Sequence, residues 1–375
     1  MSKNILITGG AGFIGIHLST KLVEIGHRVT VLDNLSKQVH GPMKQIHKQL
    51  ENNVNFIKGD VRYIADWEKA LKKSQIIIHL AAETGTGQSM YKIKKYNDVN
   101  SGGTAILLDI LANTKHSVEK VIIASSRAVY GEGKYHCKFH NYVYPSERSE
   151  REMIKGNFEL NCPECGGEIK VVPTDENSCM LPQSFYAITK LNQEMMVRNI
   201  CNALGIPFVI FRYQNVYGPG QSLKNPYTGI LSIFSTRIKN KKSIPIFEDG
   251  KESRDFVYIS DVVRATILGV ENKNANGRIF NVGSGERTSI LEVAKSLQRE
   301  YRSNSDIRIT GQFRKGDIRH NVADITKIKN ELDFSPSYSF SRGIKEFVKW
   351  VENQDIAINK FDKSIKDLEE RGLIL

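Results

Sequence analysis

Short aliphatic runs alternate with longer amphipathic stretches along the first part of the chain. Residues 3–8, 29–32, 54–57, 75–80 and 118–124 are short and apolar, which predicts buried strands. Between them, 13–25, 64–73 and 91–113 carry the amphipathic pattern of helices. A helix over 184–204 and a strand over 207–212 extend the series. Strands alternating with helices predict a parallel sheet covered on both faces. Ligands in such a fold sit at the carboxyl ends of the strands.

Residues 132–182 break this rhythm. The expected organisation is an α/β, Rossmann-type doubly wound domain from 1–131 and 183–220, interrupted by a Cys-rich insert over 132–182. A smaller, mainly substrate-binding domain over 221–350 follows, then a Lys/Asp/Glu-rich tail helix over 351–375 with a solvated end. A chain of 375 residues is longer than one core commonly holds, which agrees with this division.

The composition changes the picture little. The chain is 40% hydrophobic and 25% charged, ordinary for a globular protein. A formal charge of +12 raises the question of nucleic-acid binding, but the lysines are scattered, with short doublets such as Lys241-Lys242. A solvated surface is the expectation, with no nucleic-acid partner. No apolar run approaches the length of a membrane span, and the start lacks a signal peptide's apolar core, so a cytoplasmic protein is expected. Five cysteines, an odd number in a long chain, argue against a disulfide framework.

Three features carry chemistry. Gly9, Gly12 and Gly15 follow the first strand and open a helix. In that context they allow a tight turn, close approach to a pyrophosphate, and close helix–strand packing. Asp33 ends the second strand, where a carboxylate accepts hydrogen bonds from ribose hydroxyls and repels a 2′-phosphate, which favours NAD over NADP. Tyr186 and Lys190 lie four residues apart, about one helical turn. A fixed ammonium there is expected to draw the phenol toward neutrality and make it a proton shuttle for an alcohol.

Cys137-Lys138-Phe139-His140 and Cys162-Pro163-Glu164-Cys165 form two pairs with two-residue spacers. Such pairs point both ligands of a tight turn at one ion. A structural zinc held by Cys137, His140, Cys162 and Cys165 is expected, with His136 as the substitute for His140. Cys179 and Cys201 fall outside the pattern.

Together these motifs resemble the extended short-chain dehydrogenase/reductase family and its nucleotide-sugar epimerases and dehydratases. The residues that carry the resemblance are Thr8-Gly9-Gly10-Ala11-Gly12-Phe13-Ile14-Gly15, Leu32-Asp33-Asn34, Gly59-Asp60-Val61, and His79-Leu80-Ala81-Ala82. Asn100 before Gly102-Gly103-Thr104, Ser125-Ser126 with Val129-Tyr130-Gly131, and Tyr186 with Lys190 continue it. Arg212-Tyr213 with Asn215, Arg254-Asp255, and Arg314 with Gly316-Asp317 complete it.

The resemblance implies a catalytic triad of Ser126, Tyr186 and Lys190, with Ser125 as the neighbour of the serine. It implies NAD contacts at Gly9, Gly12, Phe13, Ile14, Gly15, Asp33, Asn34, Asp60, Val61, Leu80, Ala81, Ala82, Asn100, Tyr186, Lys190 and Tyr213. It places a nucleoside-diphosphate sugar at Ser126, Asn215, Arg254 and Arg314, with Arg319 as a further candidate. Thr84, Thr86 and Gln88 occupy the loop beside the hexose. A homodimer through helices 91–113 and 184–204 is implied as well.

Family members that eliminate water or carbon dioxide place carboxylates just after the catalytic serine or threonine. This chain has Arg127 and Ala128 there. That leaves 4-epimerisation as the expected reaction, with a 4-ketoreductase or a UDP-sugar epimerase as alternatives. A non-catalytic module is disfavoured because Tyr186 and Lys190 are both present. The insert, Leu35-Ser36 before Val39-His40-Gly41, and the 84–91 loop are similar to a subgroup of dTDP-L-rhamnose 4-epimerases.

Overall fold

The computed structural model describes residues 2–41, 47–227, 229–355 and 361–375. A seven-stranded sheet forms its centre: β1 (Asn4–Thr8), β2 (Arg28–Asp33), β3 (Asn55–Lys58), β4 (Ile76–His79), β5 (Lys120–Ser126), β9 (Phe208–Tyr213) and β14 (Arg278–Val282). Their order is β14-β9-β5-β4-β1-β2-β3, and every pairing is parallel. The order reverses at β1, whose neighbours are β2 on one side and β4 on the other. A crevice opens at such a switch point, outside the carboxyl ends of the strands.

The continuous apolar runs of the sequence follow from burial on both faces. Ile5, Ile7, Ile76, Ile78 and Ile122 pack into one core, while Leu6, Ile77, Val121 and Ile123 pack into the other. The first core runs on into the C-terminal part through Phe234, Ile244, Ile290 and Phe347. The stretch 221–350 therefore shares a core with the sheet, and β14 returns from it to the sheet edge.

The insert folds around a small antiparallel sheet of β6 (Tyr135–Cys137), β7 (Asn141–Val143) and β8 (Ile169–Val171), in the order β7-β6-β8. It joins the C-terminal part through the Met153, Phe158 and Phe313 cluster, backbone hydrogen bonds of Thr174 with Val322 and Asp324, and ion pairs. Arg319, fully buried, binds Glu159 of the insert together with Glu248 and Asp249. Arg148 of the insert binds Glu248 at 2.8 Å.

The tail departs from the expected solvated end. Part of it, 356–360, lies outside the described residues. The helix Phe361–Glu369 buries Phe361 and Leu368, and beyond it Ile374 is buried as well. Leu375 exchanges backbone hydrogen bonds with Phe313 at 2.9 and 3.1 Å. Long-range packing fixes this segment, and its local polarity gave no sign of that.

Candidate active site

A cleft of about 490 Å³ lies at the switch point. Gly9 stands at φ +68°, and a Cβ there would sit 2.8 Å from the Ala81 Cα. A Cβ on Gly15 would meet Gly10 Cα at 2.5 Å, so only glycine lets the helix Phe13–Glu24 lie this close to the loop. That helix starts at Gly12 without a side-chain cap, and Gly12, Phe13, Ile14 and Gly15 line the cleft. Unsatisfied first-turn amides beside a glycine cradle suit a pyrophosphate.

Asp33 is buried at the end of β2, where Oδ2 accepts from Ala11 N at 3.1 Å and Oδ1 from Leu35 N at 2.8 Å. Burial pushes its carboxyl above the ordinary value, against the Leu35 amide, His40 and the Ala11 amide. Asp60 binds Asn34 Nδ2 at 3.0 Å and the Arg62 guanidinium at 2.8 and 3.0 Å. Val61, Leu80, Ala81, Ala82 and Tyr213 line the same cleft.

Asn100 is the exception among the expected cofactor residues. It is fully buried and does not line the cleft. Its Oδ1 accepts from Glu83 N at 2.8 Å, and its Nδ2 donates to Glu83 O at 3.1 Å and Thr189 Oγ1 at 3.0 Å. It braces the loop after Ala82 rather than facing a ligand. Val99, beside it, lines the cleft instead.

Ser126, Tyr186 and Lys190 meet at the cleft floor. Ser126 ends β5, and its Oγ caps the following turn by accepting from Ala128 N at 3.2 Å. Ser125 Oγ donates to Glu194, whose carboxylate also holds Arg212. The two serines therefore divide: Ser125 is tied to a buried ion pair, while Ser126 lines the cleft with Tyr186 and its hydroxyl acts to lower the phenol. Tyr186 and Lys190 project from the helix Phe185–Leu204, capped by Ser184.

The phenol does not behave as its spacing to Lys190 suggested. Burial raises the Tyr186 pKa, and the opposing influences are the Ser126 hydroxyl and the charge of Arg127. Burial also weakens Lys190, bringing its pKa down to about 8. An ammonium held in a low-dielectric floor costs free energy and loses part of its pull.

A second cavity of about 180 Å³ adjoins the first. Arg254, Arg314, Phe247, Glu248 and Glu252 line it, and Arg127, Asn215, Thr86 and Tyr227 line both. Thr84 lines the larger cleft. Gln88 is buried and pairs with Gln38 at 2.9 Å, a use the sequence did not show. Arg314 lies over the Phe247 ring at 4.7 Å and pairs with Asp317 at 3.2 Å. Arg319, a further candidate for the diphosphate, lines neither cavity and is consumed by its carboxylates. Arg127, read in the sequence only as a missing acid, is the principal lining residue that reading passed over.

In the insert, the ligand atoms of Cys137, His140, Cys162 and Cys165 all lie within 4.8 Å of one another. His140 Nδ1 is 3.6 Å from both Cys137 and Cys162 sulfurs. Gly166 N donates to Cys162 O, and Cys162 N to Gly167 O, each at 2.8 Å, which closes the turn bearing Cys162 and Cys165. The Phe139 amide is first among the causes that bring the Cys137 thiol down to about 6. His136 stands outside this group and packs edge-on against Tyr142. Cys201 is buried in the sheet core, and Cys179 is exposed. Among the described residues no helix is long and apolar enough to cross a membrane.

Comparison with known proteins agrees with this geometry. Residues 5–148 match the family model described as NAD dependent epimerase/dehydratase family, and residues 163–347 match that described as GDP-mannose 4,6 dehydratase. A dTDP-L-rhamnose 4-epimerase of Burkholderia thailandensis is 38% identical, over 94% of this chain and 96% of that protein. A UDP-N-acetyl-alpha-D-glucosaminuronate decarboxylase of Bacillus cytotoxicus is 31% identical, over 94% of this chain and all (100%) of that protein. The crystal structure of a UDP-glucuronic acid 4-epimerase from Bacillus cereus, in complex with UDP-glucuronic acid and NAD, superposes with a TM-score of 0.76 at 27% identity. That match covers 93% of this chain and 99% of the other. The glycine cradle, the serine–tyrosine–lysine floor and these similarities place the chain in the NAD-dependent epimerase/dehydratase family, among the nucleotide-sugar epimerases of the extended short-chain dehydrogenases/reductases.

Proposed function

We propose that the protein inverts C4 of a nucleoside-diphosphate hexose, and that dTDP-L-rhamnose, converted to dTDP-6-deoxy-L-talose, is its substrate. One observation carries the choice of reaction. The turn after Ser126 presents Arg127 and Ala128, neither of which can act as the acid or base of an elimination. The dehydratase family match begins beyond this turn, at residue 163, so it does not speak for that chemistry. The similarity to the Burkholderia enzyme supports the choice of sugar.

In this reading Ser126 orients the C4 hydroxyl and Tyr186 takes its proton. Gly12, Phe13, Ile14 and Gly15 would hold the NAD pyrophosphate, and Asp33 the adenosine ribose. When bound there, NAD supplies a reversible hydride acceptor. Lys190 holds its charge beside the phenol and ribose. After the 4-keto sugar has turned over, Tyr186 returns the proton to the oxygen of the inverted centre. Arg254 and Arg314 would hold the diphosphate.

A UDP-sugar is the second reading, favoured by the likeness to the UDP-glucuronic acid enzyme. The four insert ligands fit a closed tetrahedral zinc site, with no position open for catalysis. The exposed Ile188 and Met195 on the helix Phe185–Leu204 support a homodimer through that face. The unpaired cysteines fit a reducing compartment, the cytoplasm.

The test is incubation of purified protein with dTDP-L-rhamnose and a panel of UDP-sugars, followed by NMR of the products. Interconversion at C4 without net consumption of NAD is expected. Release of a keto-sugar or carbon dioxide as the main product would overturn the reading.

A further inference from the structure

The turn after Ser126 holds a cation that forms no ion pair among the described residues, although the charges of Asp317 and Glu132 act on it from farther off. Arg127 Nε donates to Asn215 Oδ1 at 2.8 Å. Among the described residues no carboxylate reaches ion-pairing distance of this guanidinium, and its terminal nitrogens make no hydrogen bond. Burial is the main reason its pKa falls to about 9, with the nearby Arg254 adding to the effect. Among the described residues Arg254 also forms no ion pair: its terminal nitrogens donate to the backbone oxygens of Ser253, Arg319 and Ile318, at 2.7 to 2.9 Å. Glu248, Glu252 and Asp317 line the same cavity but pair with neither guanidinium, so the two cations repel each other at close range and an anion between them would be stabilising.

The position of Arg127 identifies the anion. The larger cleft contains Tyr186 and Ser126, and the smaller contains Arg254, Arg314 and the Phe247 ring. Arg127 lines both, so it stands in the passage between them. On the nucleotide-sugar reading above, the hexose lies beside Tyr186 and the nucleoside side beyond Arg254. The group in the passage is then the phosphate bonded to the sugar.

We propose that Arg127 is a specificity-determining residue that binds the β-phosphate of the substrate through its two terminal nitrogens, while Asn215 fixes the fork through Nε. The fork geometry of a guanidinium suits two phosphate oxygens. The inference rests on the nucleotide-sugar reading but goes beyond it. It gives the position vacated by a catalytic acid a binding task, and it anchors the sugar at the phosphate about which the ring must turn.

The test is calorimetric titration of the holoenzyme with thymidine, uridine, guanosine and cytidine diphosphates and with their monophosphates. Each pair differs by the β-phosphate alone. The parent protein is expected to bind one diphosphate more tightly than its monophosphate. In Arg127→Met that preference should shrink by about 10- to 100-fold, the span of a charge-assisted hydrogen bond. Monophosphate affinity should stay within about twofold of the parent.

An unchanged preference, or equal weakening of both nucleotides, would overturn the assignment. If Arg127→Met does not fold, Arg127→Lys decides the matter. It keeps the charge and loses the fork, so the preference must still fall; an unaltered preference overturns the proposal. A parent protein that binds none of these nucleotides overturns the nucleotide-sugar reading itself, and the assignment with it.

Discussion

Lys190 Nζ donates to the carbonyl oxygen of Ala124 at 2.9 Å, which ties the helix Phe185–Leu204 to β5 two residues before Ser126. The bond fixes both the ammonium and, one turn away, Tyr186. Replacing Lys190 with Met should remove the tie and the charge together, so both NAD affinity and kcat should fall. Tyr186→Phe removes only the proposed proton carrier. It should lower kcat by about 10²- to 10⁴-fold while NAD content stays at the parent level. Steady-state rates with the converted sugar, and nicotinamide absorbance of the purified protein, check both. A Tyr186→Phe rate equal to the parent's would remove Tyr186 from the mechanism.

The same pair sets the pH response. Tyr186 lies above its ordinary value, so its base form grows as pH rises. Lys190 loses its charge as pH passes about 8. The rate should therefore rise with pH and then fall on the alkaline side as the ammonium is lost. In Arg127→Met the rising limb should move to higher pH, because the Arg127 charge is one of the effects that lower the phenol. Initial rates from about pH 6 to about pH 10 test this. A rising limb at the same pH in the variant would show that Arg127 does not act on the phenol.

Zinc content is the next measurement. Protein purified without chelator should carry about one zinc per chain, and Cys162→Ser should lose it. The insert meets the smaller cavity, the proposed seat of the diphosphate, through Arg148 and Glu248, and Glu248 lines that cavity. Metal loss should therefore raise the KM for the sugar nucleotide more than it weakens NAD binding. Elemental analysis paired with thermal melts decides it. A metal-free protein with the parent's melting temperature would dismiss the zinc site.

His79 predicts acid sensitivity. It is buried between Thr8 Oγ1 at 2.6 Å and Thr104 Oγ1 at 3.0 Å. Burial, and then the charge of Lys190, bring its pKa down to about 3. In the unfolded chain an imidazole takes up a proton below about 6.5, while the folded one stays neutral. The stabilisation is present above about 6.5 and drains away as pH falls toward about 3. Between about pH 7 and about pH 5 the parent should lose about 2–5 °C more in melting temperature than His79→Gln. Equal losses in the two proteins would assign the acid response elsewhere.

The sheet was legible because its strands are buried on both faces, so Ile5, Leu6 and Ile7 form an unbroken apolar run. The glycine loop was legible because Gly9 and Gly15 leave no room for a Cβ. The gathering of Cys137, His140, Cys162 and Cys165 was legible from spacing, since each pair closes a local turn. Arg127 was not. Its meaning depends on Asn215, 88 residues away, and on the position of its side chain between two cavities. Arg319 was misread for the converse reason, because the acids that neutralise it come from Glu159, Glu248 and Asp249 in separate segments. Asn100 looked like a ligand contact by its motif, yet its side chain is occupied by Glu83 and Thr189.

The Arg319 cluster also gives the molecule an uneven response to temperature. Its seam between insert and C-terminal part carries these ion pairs beside a small cluster of Met153, Phe158 and Phe313, whereas the sheet cores are apolar throughout. Warming lowers the cost of stripping water from charges, while the gain from burying hydrocarbon levels off. Relative to the cores, the seam therefore strengthens in a warm medium, and chilling is the condition in which it contributes least.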